Sequence, residues 1–206
     1  MKKILIGILS LFILISLTGC SFKDLFVKEN ESEELMQGKV KVEIDVKDYG
    51  IIKLDLDADK APITVTNFIN LVNDKFYDGL TFHRIMDGFM IQGGDPEHNG
   101  TGGSSKTIKG EFESNGIKND ISHVRGVISM ARSNDPNSAS SQFFIVQQDS
   151  TFLDGNYAAF GMVYEGMDVV DKISSTVSPL ATDDNGTIEL ANQPVINSIK
   201  VIENEQ

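Results

Sequence analysis

Apolar and polar residues alternate clearly in one early part of the chain. The segment KVKVEIDV, from Lys39 to Val46, places a valine or isoleucine at every second position. A turn at residues 47 to 50 leads into a second strand-like run, from Ile51 to Asp57. A period of two residues is typical of strands with one buried face. The pattern therefore predicts a hairpin that opens an antiparallel sheet.

Helical spacing follows the hairpin, and short apolar runs follow the helix. Pro62 suits a first helical turn, and apolar residues then recur along one helix face through Asn73. A second helix is predicted from Met167 to Ser174. Runs punctuated by Gly, Asn, Asp and Ser predict further strands at Leu80 to Ile85, Phe89 to Gln92, Gly126 to Ala131, Gln142 to Val146, Ala158 to Val163 and Val195 to Ile202. This pattern favours an all-β barrel or sandwich with two helices.

The amino terminus has the features of an export signal. Lys2 and Lys3 precede an apolar run, Ile4 to Leu17, that is shorter than the roughly 20 residues of a spanning helix. The run leads to Leu-Thr-Gly-Cys20, which resembles the lipobox of bacterial lipoproteins, where cleavage precedes a lipid-modified cysteine. We expect residues 1–19 to be a signal peptide and Cys20 to carry lipid, including palmitate. The alternative is an ordinary secretory signal with an incidental cysteine.

The remaining chain divides into a tether and one domain. Residues 20–38 are acidic and polar without clear periodicity, which is typical of a flexible connection. Residues 39–206 have the length of a single domain with a sizeable core. We expect an extracytoplasmic protein, anchored to the bacterial cell membrane through its lipid, whose domain is a monomer.

Charge and cysteine content exclude several classes of function. The formal net charge is −12, which disfavours binding to nucleic acid and to anionic lipid headgroups. Membrane attachment is therefore expected through lipid rather than through a basic patch. Cys20 is the only cysteine, so the mature domain has no disulfide, no zinc-thiolate site and no cysteine nucleophile.

Several segments resemble nucleotide-binding, metal-binding or hydrolase motifs but do not match them fully. GTGGSSKT, residues 100–107, has Ser105 where a P-loop needs glycine, and favours a solvated loop. DDNG, residues 183–186, lacks calcium ligands at the required positions and is interpreted as a turn. Three histidines share no metal-ligand spacing, and a Ser-His-Asp site would need to assemble from scattered residues. We expect no metal and no cofactor.

A family resemblance rests on several separated motifs. FHRIMDGFMIQGGD (residues 82–95), GVISMA, SQFFI, LDGNYAAFG and EGMDVVDKI together resemble the cyclophilins, which are peptidyl-prolyl cis-trans isomerases. The motifs occur in family order and span most of residues 39–202. The resemblance implies a mostly β fold, a closed eight-stranded antiparallel barrel capped by two α-helices. It places the active site in a groove on the outside of the barrel.

The resemblance also gives a reason for an arginine inside an apolar run, where burial of its charge is costly. Arg84 matches the catalytic arginine of the family, which donates a hydrogen bond to the prolyl nitrogen as that nitrogen pyramidalises. Gln92 matches the residue that orients this arginine and the substrate carbonyl. Its neighbour His83 is interpreted as a structural residue, because the reaction transfers no proton.

The remaining site residues follow from the same motifs. The matched apolar pocket for the proline ring consists of Phe89, Met90, Phe144 and Leu153, and the matched groove beside it of Ala131, Arg132, Gln142 and Phe152. Tyr157 stands where the family often has histidine, and Phe152 where it often has tryptophan. Loss of the indole donor predicts weak inhibition by cyclosporin, a ligand of the family.

These matches favour an isomerase that accelerates rotation of X-Pro bonds and helps exported or surface proteins to fold. Its expected partners are proline-containing segments of those proteins. One alternative is a proline-peptide binding module or chaperone, whose function would survive loss of Arg84. Another is an adhesion or structural lipoprotein, which would bind a partner through a face remote from the groove.

Overall fold

The computed structural model describes residues 34 to 202 and contains the predicted hairpin, with strands β1 (Lys39–Val46) and β2 (Gly50–Asp57). Helix α1 (Pro62–Asn73) begins at its proline, where no hydrogen-bonded N–H is required. The other predicted strands are confirmed, with small shifts at their ends, as β3 (Phe82–Met86), β4 (Met90–Gly93), β5 (Val127–Met130), β6 (Phe143–Val146), β7 (Ala159–Glu165) and β8 (Ile196–Val201). Helix α2 (Met167–Val177) extends three residues beyond its predicted end.

The eight strands form one curled antiparallel sheet in the order β3-β4-β6-β5-β7-β2-β1-β8. The prediction of a closed barrel is wrong. At the start of the two end strands, Thr81 and Val195 form an antiparallel bridge, flanked by hydrogen bonds from Phe82 N to Pro194 O (3.0 Å) and from Ile196 N to Leu80 O (2.8 Å). The outer edge of β3 pairs instead with a later loop, through Ile85 N to Gly186 O (2.8 Å) and Ile188 N to His83 O (2.9 Å). This loop therefore occupies the later part of the β3 edge, and β8 does not pair along it.

Apolar clusters cover both faces of the sheet. The larger cluster includes Phe82 and Phe143, which are fully buried. Phe68 of α1 contacts Phe143 edge-on, at 5.6 Å between ring centroids. Side chains alternate along a strand, so Phe144 faces the opposite side. It joins a smaller cluster around Met90, and this second face forms the candidate site.

The chain contacts the domain before β1 begins. Met36 N donates to Thr66 Oγ1 (2.9 Å), and Gly38 N donates to Asp59 Oδ1 (2.8 Å). The last residues of the predicted tether are therefore fixed to the domain. The predicted signal peptide, Cys20 and residues 20–33 lie outside the described residues. Between residues 34 and 202, no helix has the length and apolar character that crossing a membrane requires.

Candidate active site

A β-bulge in β3 brings two neighbouring side chains to the same cavity. Phe82 pairs with Gly93 and Arg84 pairs with Gln92, so His83 is an extra residue between the two pairs. Such an extra residue shifts the usual alternation of side chains between the faces. His83 and Arg84 therefore both line one cavity of about 280 Å³.

The guanidinium of Arg84 is half-buried and held at three points. Nε donates to Asn185 O (2.7 Å), Nη1 donates to Gln92 Oε1 (3.1 Å), and Nη2 contacts Met86 Sδ (3.1 Å). A guanidinium has five N–H groups, so one on each terminal nitrogen has no partner among the described residues. Burial lowers the pKa of Arg84, and the carboxylate of Asp183 opposes that shift. Arginine is nevertheless protonated at neutral pH, so the site keeps a cationic donor.

Two glutamines connect this arginine to a glycine-rich loop. Gln92 accepts from Arg84 and donates through Nε2 to Gln142 Oε1 (2.9 Å). Gln142 in turn donates to the carbonyl oxygens of Gly100 (3.1 Å) and Gly102 (2.8 Å). In each side chain the amide oxygen accepts from a donor and the amide nitrogen donates to an acceptor. Only one orientation of each amide satisfies both bonds, so both side chains are fixed. Gln92 is thereby held in its hydrogen bond to Arg84.

A buried carboxylate supports that loop. Asp95 is fully buried and accepts backbone N–H groups from Glu97 (2.8 Å), Asn99 (3.1 Å) and Gly100 (2.6 Å). Burial alone raises the pKa of Asp95, but these hydrogen bonds bring it below its ordinary value. No α-helix begins within residues 100–107 or directly after them, so the predicted loop, rather than a P-loop, is confirmed. The loop serves as a wall of the cavity.

The floor of the cavity is apolar and its edge is polar. Met90, Phe144 and Leu153 are buried in the cluster of the second sheet face, and Phe89 packs against that cluster. The full lining is His83, Arg84, Phe89, Met90, Gln92, Asn99, Gly100, Ala131, Arg132, Phe144, Leu153, Tyr157 and Thr187. An apolar floor with a few polar groups at its edge is typical of ligand-binding pockets.

Phe152 and Tyr157 occupy the rim differently. The ring of Phe152 is 72% exposed and lies on Phe89, at 5.6 Å between centroids, outside the lining of the cavity. Tyr157 lines the cavity beneath the guanidinium of Arg132, which lies 4.8 Å from its ring centroid. Arg132 also donates to Asn156 O through Nε (3.0 Å) and Nη2 (2.8 Å). These contacts hold the guanidinium of Arg132 against the ring of Tyr157.

All predicted catalytic and substrate-binding residues except Gln142 and Phe152 line the main cavity. Gln142 lines an adjoining cavity of about 230 Å³, which shares Ala131 and Arg132 with the first. Sequence reasoning missed four lining residues, namely His83, Asn99, Gly100 and Thr187. Asn99 and Thr187 adjoin the predicted loop and the predicted turn, and no local signal showed that either segment lies beside Arg84.

Three scattered residues form a hydrogen-bonded Ser-His-Asp chain beneath the pocket. His123 Nδ1 lies 2.8 Å from Asp154 Oδ1, and His123 Nε2 lies 3.0 Å from Ser129 Oγ. Ser129 is fully buried, so no substrate reaches it and the arrangement is not that of a hydrolase. Burial lowers the pKa of His123, although Asp154 opposes the shift, which favours a neutral imidazole. The ring of His123 stacks on Phe144, with 6.1 Å between centroids, and supports the pocket floor.

Among residues 34–202, no group of three or more His, Cys, Asp or Glu side chains is placed to hold a metal ion. His83 is 97% buried at the cavity wall, and burial lowers its pKa. A neutral, buried imidazole there is consistent with the structural role expected of it.

The sequence of this chain is similar to proteins of one known family. Residues 40–202 match the family model described as cyclophilin type peptidyl-prolyl cis-trans isomerase/CLD. Peptidyl-prolyl cis-trans isomerase A of Dickeya dadantii is 42% identical over 164 residues, which cover 74% of this chain and 80% of that protein. Peptidyl-prolyl cis-trans isomerase B of Bacillus subtilis is 42% identical over 130 residues, which cover 63% of this chain and 87% of that protein.

Solved structures agree with the sequence relatives. A Cryptosporidium parvum cyclophilin type peptidyl-prolyl cis-trans isomerase superposes with a TM-score of 0.70 at 28% identity, covering 82% of this chain and 100% of that one. A second structure of that protein, obtained in the presence of the dipeptide Ala-Pro, gives a TM-score of 0.69 and covers 80% and 99% of the two chains. The chain therefore belongs to the cyclophilin-type peptidyl-prolyl cis-trans isomerase family.

Proposed function

We propose that the cavity beside Arg84 catalyses rotation about X-Pro bonds in exported or surface proteins, at a membrane to which Cys20 anchors the chain. The observation that carries the proposal is a cationic donor with two unengaged N–H groups, among the described residues, at the edge of an apolar cavity. The Ala-Pro dipeptide used with the Cryptosporidium parvum relative supports a proline-containing substrate.

The barrier to rotation arises from resonance in the peptide bond. It amounts to about 18–20 kcal/mol, because the nitrogen lone pair gives the C–N bond partial double-bond character. In the twisted state the prolyl nitrogen pyramidalises and its lone pair becomes an acceptor. An unengaged N–H of Arg84 donates to that lone pair. The contact is strongest in the twisted state, so it lowers the barrier instead of merely tightening binding.

The apolar floor holds the proline ring while the peptide rotates. Phe89, Met90 and Phe144 supply the contact surface for the ring, and Leu153 closes one side. In this proposal Gln92, which is hydrogen-bonded to Arg84 and lines the cavity, orients the arginine and contacts the substrate carbonyl. Fixing the ring on one side of the bond leaves the preceding carbonyl as the part that turns.

The size of the rate enhancement shows that the arginine does not act alone. Spontaneous exchange takes tens to hundreds of seconds. Reaching about 10³ per second requires roughly 10⁵-fold acceleration, or about 7 kcal/mol. A hydrogen bond from a charged donor contributes about 1.5–3 kcal/mol. The apolar pocket supplies the remainder by holding the substrate in a twisted geometry and excluding water.

Proton transfer has no part in this mechanism. Rotation makes and breaks no covalent bond, so it needs no general acid or base. The neutral His83 and the buried His123 are accordingly structural. Metal and organic cofactors are likewise unnecessary to this chemistry, and the domain is proposed to act as a monomer.

The membrane location rests on the sequence of the amino terminus. A basic start, a short apolar run and Leu-Thr-Gly-Cys20 occur in the order expected for lipid attachment. Two acyl chains suffice for stable anchoring where one is marginal. Metabolic labelling with palmitate, comparing the chain with Cys20→Ser, tests this part. Label and membrane retention that survive the substitution would contradict the anchor.

The catalytic part is tested by cis/trans exchange of a short Ala-Pro-Phe peptide, using residues 21 to 206. Arg84→Ala should reduce the rate by orders of magnitude while circular dichroism shows an intact fold. Arg84→Lys is the matched control, because it keeps the charge but loses the fixed fork of donors. It should also be strongly impaired. Spontaneous exchange rates in the unmodified domain would leave a proline-peptide binding module as the interpretation.

A further inference from the structure

We propose that the turn from Thr182 to Thr187 orients Arg84 for catalysis, and that Asp183 is the positioning residue that holds this turn. The inference rests on the proposed function of Arg84 and concerns how the guanidinium of that residue is oriented. The turn lies about one hundred residues from the arginine along the chain, and it reaches the site through the free edge of β3.

The turn contacts the arginine strand at successive points. Asn185 O accepts from Arg84 Nε at 2.7 Å. The backbones of Arg84 and Thr187 form an antiparallel bridge, and Gly186 O accepts from Ile85 N at 2.8 Å. Arg84 is therefore held both by its backbone and by the innermost nitrogen of its guanidinium. This leaves the terminal nitrogens directed to the cavity that Thr187 also lines.

Asp183 determines the shape of the turn. Its Oδ1 accepts from the backbone N–H groups of Asn185 and Thr187, both at 3.0 Å, and its Oδ2 accepts from Thr187 Oγ1 at 2.9 Å. Thr182 N donates to Thr187 O at 2.8 Å and closes the base. These contacts connect the residue that holds the turn to the carbonyl that holds Arg84.

The backbone at Gly186 allows the turn to approach β3 this closely. Its φ is +79°, a conformation that favours glycine. A Cβ atom there would lie 2.6 Å from Ile85 O, which is closer than atoms of this kind approach. The close approach is needed because Asn185 O must come within hydrogen-bond distance of the guanidinium.

Positioning matters for this reaction because Arg84 acts as a preorganised donor. A long side chain without fixed contacts must lose rotamer freedom when it meets the twisted substrate. A donor already oriented in the unliganded protein has no such cost. Losing the turn should therefore raise the free energy of the twisted transition state more than it raises that of the bound ground state.

Asp183 also carries charge, and the experiment must separate charge from geometry. Arg84 contributes to lowering the pKa of Asp183, after larger effects from the hydrogen bonds of Thr187. Asp183→Asn removes the charge but keeps an oxygen that can accept from the backbone of Asn185 and Thr187. Asp183→Ala removes both. Asp184→Ala removes the same charge one residue further along and is the matched control.

The measurements are peptide exchange kinetics and NMR of the Arg84 Nε–H group, made on the full-length chain. Asp183→Ala should lower kcat about tenfold or more, because small misplacement of a reacting group is costly, with KM changed less than about twofold. Exchange of the Nε–H with water should accelerate in the same variant. Asp183→Asn should retain most activity, and Asp184→Ala should match the wild type.

Two outcomes would overturn the inference. Unchanged Nε–H exchange in Asp183→Ala would show that the turn does not hold the arginine. An equal loss of kcat in Asp183→Asn and Asp183→Ala would assign the effect to charge. The NMR measurement needs no substrate, so it tests the turn even where the wild type proves inactive and the proposed function fails. Where Asp183→Ala unfolds, Thr187→Val provides a milder loss of one turn contact and should change Nε–H exchange in the same direction.

Discussion

Acidification should destabilise this domain between about pH 7.5 and about pH 5.5 because two histidines are buried in neutral form. His83 is 3% exposed and His123 is 1% exposed. Burial lowers the pKa of both, against opposition from Asp95 and Asp154 respectively. In the unfolded chain a histidine titrates near pH 6.5. Below that pH the unfolded state binds more protons than the folded state, so the free energy of unfolding falls as pH falls.

The size of the effect follows from the number of protons. One extra proton on the unfolded state changes the free energy of unfolding by about 1.4 kcal/mol per pH unit. Two histidines set an upper limit of about 2.7 kcal/mol per pH unit, a large share of the 5–15 kcal/mol typical of a domain. Hydrogen bonds lower the pKa of Asp154 even though burial opposes this, but stability from such carboxylates is lost at lower pH, below about pH 5. The chosen window therefore isolates the histidines.

Urea unfolding followed by circular dichroism measures this slope, since the chain has no tryptophan for fluorescence. His123→Asn keeps a group that can donate to Asp154 but loses the titrating ring. It should cost about 1–3 kcal/mol at neutral pH through the lost contact with Ser129. Its pH slope should be about half that of the wild type. Equal slopes in the two proteins would refute the argument that the buried imidazole of His123 is a source of the acid sensitivity.

Three further outcomes are expected. Leu153→Ala should raise KM more than it lowers kcat and reduce the free energy of unfolding by about 2–4 kcal/mol, measured by peptide exchange and urea titration, because Leu153 is buried in the pocket wall. Cyclosporin should bind weakly by calorimetry, and Phe152→Trp should tighten it by restoring an indole donor; tight binding to the wild type would contradict this. Values of kcat/KM should stay within about twofold from about pH 6.5 to about pH 8.5, because no group transfers a proton.

Local patterns sufficed to predict most secondary structure. Alternation in KVKVEIDV predicted β1, and Pro62 with its following apolar positions predicted the full extent of α1. These signals work because a buried face imposes the period of its element on nearby residues. Motif matching then selected residues that do line one cavity, including Arg84 and Leu153. Their assigned roles in catalysis and binding remain predictions.

Long-range pairing accounts for what the sequence could not predict. Closure of the sheet depends on which segments pair with β3, and residues 186–188 occupy the later part of its edge, where β8 would otherwise pair. DDNG predicted a turn correctly, yet its location beside Arg84 arises from folding of the whole chain. The hydrogen bonds of His123 to Ser129 and Asp154 likewise join side chains from separate segments. The bulge at His83 is a further case, since the two-residue period alone would place it opposite Arg84.

The pairing of residues 186–188 with β3 also bears on solubility. An end strand with unpaired N–H and C=O groups is a template on which extended chains can add and aggregate. Ile85 N and His83 O, which lie on that edge, are already hydrogen-bonded to Gly186 and Ile188. An isomerase that binds extended proline-containing peptides needs such protection more than most proteins do. By covering its own strand edge, this domain can bind such a peptide without offering it a sheet to join.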